Sequence, residues 1–61
     1  MDKLLECGFN GRRQVVEIRR IIRLEESRDG ETGIWLDMPG YCVMSDVAYE
    51  KLLSKWLEYL A

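Results

Sequence analysis

The stretch Arg12-Arg-Gln-Val-Val-Glu-Ile-Arg-Arg-Ile-Ile-Arg-Leu-Glu-Glu26 decides how the rest of the chain is read. Five of its six aliphatic residues are β-branched, and on a helical wheel they scatter around the whole circumference. Read with a period of two, Val16, Ile18, Ile22 and Leu24 fall on one face, with Arg20 the only misfit. Val15, Glu17, Arg19, Ile21, Arg23 and Glu25 fall on the other. The pattern predicts one long strand over about residues 13–26, with a clean side and a mixed side.

The next segment of the chain supplies its partner. Asp29-Gly30 is a hairpin signal between Leu24 and Trp35. A two-residue loop would set Leu24 opposite Trp35. A three-residue loop, Arg28 to Gly30 with Gly30 left-handed, sets Leu24 opposite Ile34 and Ile22 opposite Leu36. The second register matches apolar with apolar, and it places Arg23 opposite Trp35, where a guanidinium can lie on the indole. A strand over 33–38 is therefore expected. Met38-Pro39-Gly40-Tyr41 suits a type II turn, with Pro second and Gly third. A short strand over 41–44 then runs back, with Leu36 facing Val43 on the core side.

Ser45 reads as a helix N-cap and Asp46 as a first-turn acid. From Asp46 to Leu60 the residues Tyr49, Leu52, Leu53, Trp56, Leu57, Tyr59 and Leu60 form a broad apolar face, with charged residues opposite. A helix over about 46–60 is predicted. Residues 1–11 are ambiguous: Asn10-Gly11 can close a hairpin pairing Lys3–Phe9 with Arg12 onward, and Asp2–Cys7 can equally form a helical turn. The fold class is α+β: an antiparallel meander of three or four strands with one C-terminal amphipathic helix packed on one face, a single small domain over 1–61.

Size sharpens the question of partners. A chain of 61 residues buries only about 60% of its unfolded surface, and such domains commonly depend on a disulfide, a metal or a second subunit. The two cysteines, Cys7 and Cys42, have no signal-like apolar segment before them. A cytoplasmic setting with reduced thiols is expected. With no histidine and two distant cysteines, no structural metal is predicted. Cys42, Met38 and Met44 do not converge as copper(I) ligands, because alternation puts Met38 and Cys42 on opposite faces. No apolar run reaches the roughly 20 residues of a membrane span. The remaining staple is self-association, and the sequence predicts a homodimer through the sheet face that carries Ile21, Trp35 and Met44 or through the helix aromatics Trp56 and Tyr59.

Catalysis finds no support in the residue types. There is no histidine, no nucleophile beside a base, no phosphate loop and no cofactor fingerprint. Neither an enzyme nor a cofactor is expected. Five arginines between Arg12 and Arg23 stand against one glutamate, a local surplus of four positive charges on a chain of net charge −2. Beside Trp35 this strip is the basis of an alternative reading, a nucleic-acid-binding regulator. Its competitor is ordinary pairing of Arg12, Arg13, Arg19 and Arg23 with carboxylates, which the acidic balance of the chain favours. Arg20, turned by strand parity toward the core, is expected to be ion-paired or interfacial.

In length, in the meander Gly30–Asp46 running into the helix Val47–Leu60, and in its lack of catalytic equipment, the chain resembles the very small proteins encoded by phages and other mobile elements. The resemblance implies a stoichiometric inhibitor that binds and blocks a larger host protein of a defence system, in the host cytoplasm. It implies no particular site residues. The interaction candidates come from the pattern itself: Trp35, Arg19, Arg23, Arg20, Ile21, Met44, Trp56 and Tyr59, with the hairpin tip Arg28–Glu31.

Overall fold

A computed structural model describes residues 3–61; the part of the 1–11 expectation that falls on residues 1 and 2 lies outside the described residues. The fold is α+β, with two small antiparallel sheets and one C-terminal helix. Strands β1 (Leu4–Glu6) and β2 (Val15–Glu17) form the first sheet. A single 3₁₀ turn, Ile18–Arg20, leads into β3 (Ile21–Glu26), which forms the second sheet with β4 (Thr32–Leu36) and β5 (Cys42–Ser45) in the order β3-β4-β5. Helix α1 runs from Tyr49 to Leu60.

Residues 3–11 adopt the hairpin alternative. Phe9 and Arg12 exchange two backbone hydrogen bonds of 2.9 Å around Asn10 and Gly11, both at positive φ. That is the mirror-image turn whose twist matches paired strands. The register continues through Cys7 N–H donating to the Gln14 carbonyl at 2.8 Å to Leu5 opposite Val16.

The expected single strand over 13–26 is broken. Three residues of 3₁₀ turn carry the chain from the first sheet to the second, and 3₁₀ geometry aligns side chains at i and i+3. Ile18 and Ile21 therefore share a face, and both are buried. Parity is reversed beyond that point: Ile21, expected on the mixed face, belongs to the core, and Ile22, expected in the core, is 62% exposed. A bulge between Ile21 and Arg23 absorbs the extra residue and restores the predicted register, with Leu24 opposite Ile34 and Arg23 opposite Trp35. Leu36 faces Ile21 rather than Ile22.

Both later turns form as their residues dictate. Ser27 N–H donates to the Glu31 carbonyl at 2.8 Å around the loop Arg28–Gly30, with Gly30 at φ +84°. Tyr41 N–H donates to the Met38 carbonyl at 3.0 Å, and Gly40 has φ +73°, the type II signature. The β4–β5 pairing differs from expectation by two residues. Val43 faces Ile34 rather than Leu36, because Leu36 donates to the Tyr41 carbonyl across a longer loop. A two-residue shift keeps every side chain on its expected face.

The helix begins three residues later than expected, and Ser45 is not its cap. Ser45 is fully buried: its hydroxyl donates to the Gly8 carbonyl at 3.1 Å and accepts from Val47 N–H at 3.0 Å. Ala48 precedes the first helical turn without a side-chain cap. One core joins all parts: Leu5, Cys7, Val16 and Ile18 from the first hairpin and turn, Ile21, Ile34 and Leu36 from the second sheet, and Leu52 from α1. Of the broad apolar face predicted for the helix, Leu52 alone is fully buried and Trp56 packs at its edge, while Leu57, Tyr59 and Leu60 are exposed.

Candidate interaction surface

The outer face of the β3-β4-β5 sheet is built around Gly33 and Trp35. Gly33 leaves room on this face for its neighbours. A Cβ there would stand 3.3 Å from Cys42 Sγ and 3.7 Å from Met44 Sδ. Trp35 is half-buried, and the Arg23 guanidinium carbon lies 5.6 Å from its ring centroid, as the hairpin register predicts. Arg23 also donates to Glu25 at 2.7 Å along the strand. The Trp35 indole N–H is shielded from solvent and finds no acceptor among the described residues.

The 3₁₀ turn decides the arginines. Arg20 leaves strand parity and reaches across to Asp37, with Nε 2.9 Å from Oδ1, and its other arm approaches Glu17 at 4.0 Å. The hydrogen bond and charge of Asp37 hold the Arg20 guanidinium above its already high ordinary pKa, so it is a permanent cation. It is ion-paired, as expected, but at the surface rather than on the core side. Arg19 pairs with Glu17 at 3.4 Å, and Arg13 approaches Glu6 at 4.0 Å. The strip is thus interleaved with carboxylates.

The structure does not gather the eight candidates into one site. Trp35, Arg23 and Met44 share the outer face, with Cys42 beside them. Arg19 and Arg20 lie at the 3₁₀ turn. Ile21 is buried and has no contact surface to offer, because the reversed parity places it among Ile18, Ile34 and Leu36. Trp56 packs on the core, and Tyr59 lies on the exposed helix. Among the described residues no three His, Cys, Asp or Glu side chains are grouped as a metal site requires. Cys7 is sealed in the core, where burial pushes its thiol pKa up.

Sequence reasoning missed three surfaces that carry exposed apolar side chains. A groove of about 450 Å³ between the two hairpins sets Leu4, Val15 and Tyr41 among the polar Gln14, Glu17 and Arg20. Ile22 stands out from the edge strand, and Leu57 and Leu60 from the helix. The Leu4-Leu5, Val15-Val16 and Ile21-Ile22 pairs carried the advance signal. In any strand one member of such a pair must face outward. Among the described residues no helix is long and apolar enough to cross a membrane. Comparison with known protein families, curated proteins and solved structures finds no match for this chain.

Proposed function

We propose that the chain is a small non-enzymatic protein-binding module that acts as a homodimer, and that its specific role is a phage-type inhibitor which docks on a host defence protein and blocks it. The observation that carries this reading is the amount of large apolar side chain left on the surface. Leu4, Val15 and Tyr41 around the groove, Ile22 on β3, and Leu57 and Leu60 on α1 are each about half exposed or more. Apolar groups concentrated beside polar rims support protein contacts. The alternative nucleic-acid reading loses ground to the ion pairs of Arg13, Arg19, Arg20 and Arg23, since a phosphate would have to displace a carboxylate at each.

The experiment is capture on immobilised protein from a bacterial lysate, with and without nuclease treatment, at about 0.1 M and 0.5 M salt, comparing wild type with Val15→Asp/Tyr41→Asp. The expected result is a protein partner, retained at both salts by the wild type and lost with the variant. Non-specific phosphate binding would instead fall by orders of magnitude over that range. Nucleic acid eluting steeply with salt, or no protein that distinguishes wild type from the variant, overturns the reading.

A further inference from the structure

The second sheet has an open edge. β3 is a terminal strand of the order β3-β4-β5, and among the described residues no strand lies along its other side. Its backbone alternation is set by the hairpin: Ser27 is bonded to Glu31, so Glu25 and Arg23 point their peptide groups toward β4. Leu24 and Glu26 turn theirs outward, and the bulged, exposed Ile22 ends the row. An open row of this kind is a template for another strand.

We propose that the occupant of this edge is the same strand of a second copy, antiparallel, with the two-fold axis between the two Leu24 residues. The proposal rests on the homodimer reading above and specifies its interface. Charge selects the register. With the axis at Leu24, Arg23 of each copy stands opposite Glu25 of the other, and Ile22 stands opposite Glu26. Moving the axis one residue toward the C-terminus sets Glu25 against Glu25; one residue toward the N-terminus sets Arg23 against Arg23. Like charges directly opposite are unfavourable in a sheet. Only the Leu24-centred register among these three joins opposite charges.

The same register fits the backbone. Leu24 opposite Leu24 is then a hydrogen-bonded pair through the outward peptide groups. Arg23 and Glu25 fall at the non-bonded positions, where facing side chains are closest. Each Arg23 already holds its own Glu25 at 2.7 Å, so the two copies assemble four alternating charges on the outer face beside the two Trp35 rings. A two-fold axis across a shared edge keeps like faces together, giving one six-stranded sheet with both helices on one side. Helix α1 packs against β3, and its Leu57 and Leu60 are 55% and 61% exposed. Pairing brings two such helices onto one sheet face.

The test is solution mass by light scattering over a range of protein concentrations, for wild type, Arg23→Glu, Glu25→Arg and an equimolar mixture of the two variants. Both side chains are more than half exposed, so folding is preserved and is checked by far-UV circular dichroism. The wild type is expected at twice the chain mass. Each variant alone places like charges in both cross-strand pairs, and its dimerisation constant is expected to weaken about tenfold or more. The mixture is expected to recover the dimer mass, because the carboxylate at position 23 of one variant then faces the guanidinium at position 25 of the other. Neither chain of the mixture regains its own Arg23–Glu25 pair, so recovery reports the contact between copies alone. A wild-type dimer insensitive to both variants, or a mixture that stays monomeric, overturns the β3 seam and leaves the homodimer reading standing. A wild-type monomer at every concentration overturns both.

Discussion

At the scale of single residues, the molecule is held by a few polar groups whose roles arise only where the two hairpins meet. Gln14 is the clearest. Its Nε2 donates to the Cys7 carbonyl at 2.8 Å and to the Met44 carbonyl at 3.0 Å, so one amide ties β5 to the first hairpin. The Gly8 carbonyl closes the same junction by accepting from Asp46 N–H at 2.8 Å and from the Ser45 hydroxyl. Cys7 lies between them and is fully buried. Its thiolate is disfavoured there, so the folded state keeps a proton that the unfolded chain releases around pH 9. Above that pH the unfolded chain binds fewer protons, and stability falls as pH rises. Urea unfolding at pH 7 and 9.5, at fixed protein concentration, is expected to show wild type losing more stability than Cys7→Ala between the two conditions. Parallel losses in the two proteins would assign the pH dependence to other groups.

At the scale of elements, the helix start shows what one residue can and cannot do twice. Ser45 has the composition of an N-cap, but its hydroxyl is committed to Gly8 and Val47, and the chain uses residues 46–48 to climb from sheet edge to sheet face. The first turn is left uncapped at Ala48, which is exposed and has the extended backbone (φ −57°, ψ 137°) from which a short acceptor reaches the next turn. Ala48→Asp is expected to stabilise the protein by about 1 kcal/mol and to raise the melting temperature by roughly 4–8 °C, measured by circular dichroism at 222 nm. The same logic explains which elements were legible in the sequence. Two turns announced themselves because Asp29-Gly30 and Pro39-Gly40 each suit a backbone few other residues adopt, and the Arg23–Trp35 contact followed from counting loop residues, whereas Asn10-Gly11 left a hairpin and a helical turn both open. The 3₁₀ turn did not, because Ile18-Arg19-Arg20-Ile21-Ile22 contains no breaker, and either isoleucine of the final pair satisfies an apolar pattern. Only the need to leave one sheet and enter another selects Ile21 for the core. The groove of Leu4, Val15 and Tyr41 was hidden for a related reason: it lies between two hairpins, and no single hairpin's pattern contains it.

At the scale of the whole molecule, neither sheet is self-sufficient. A two-stranded hairpin is marginal alone in water, and the second sheet has one helix to cover one face. The two are made into one folding unit by a core to which both contribute, with Leu52 as the single fully buried side chain of α1. Leu52→Ala removes atoms at that junction and is expected to cost about 2–5 kcal/mol. The consequence should be felt across the molecule, at Cys7 in the first hairpin. Cys7 has no exposed surface, so a thiol reagent reaches it only when the core opens. If hairpin, sheet and helix open together, the rate of Cys7 modification follows the population of the open state. A loss of about 2 kcal/mol then accelerates modification roughly thirty-fold, since each 1.4 kcal/mol is a factor of ten. The measurement is the labelling rate of Cys7 in a Cys42→Ser background, with and without Leu52→Ala, under conditions where reclosing outpaces labelling. Acceleration matching the loss measured in urea means that one helix residue governs the opening of a hairpin remote in sequence. A labelling rate unchanged by Leu52→Ala means that the first hairpin opens by itself, and that Gln14 and Gly8 join two units rather than lock one.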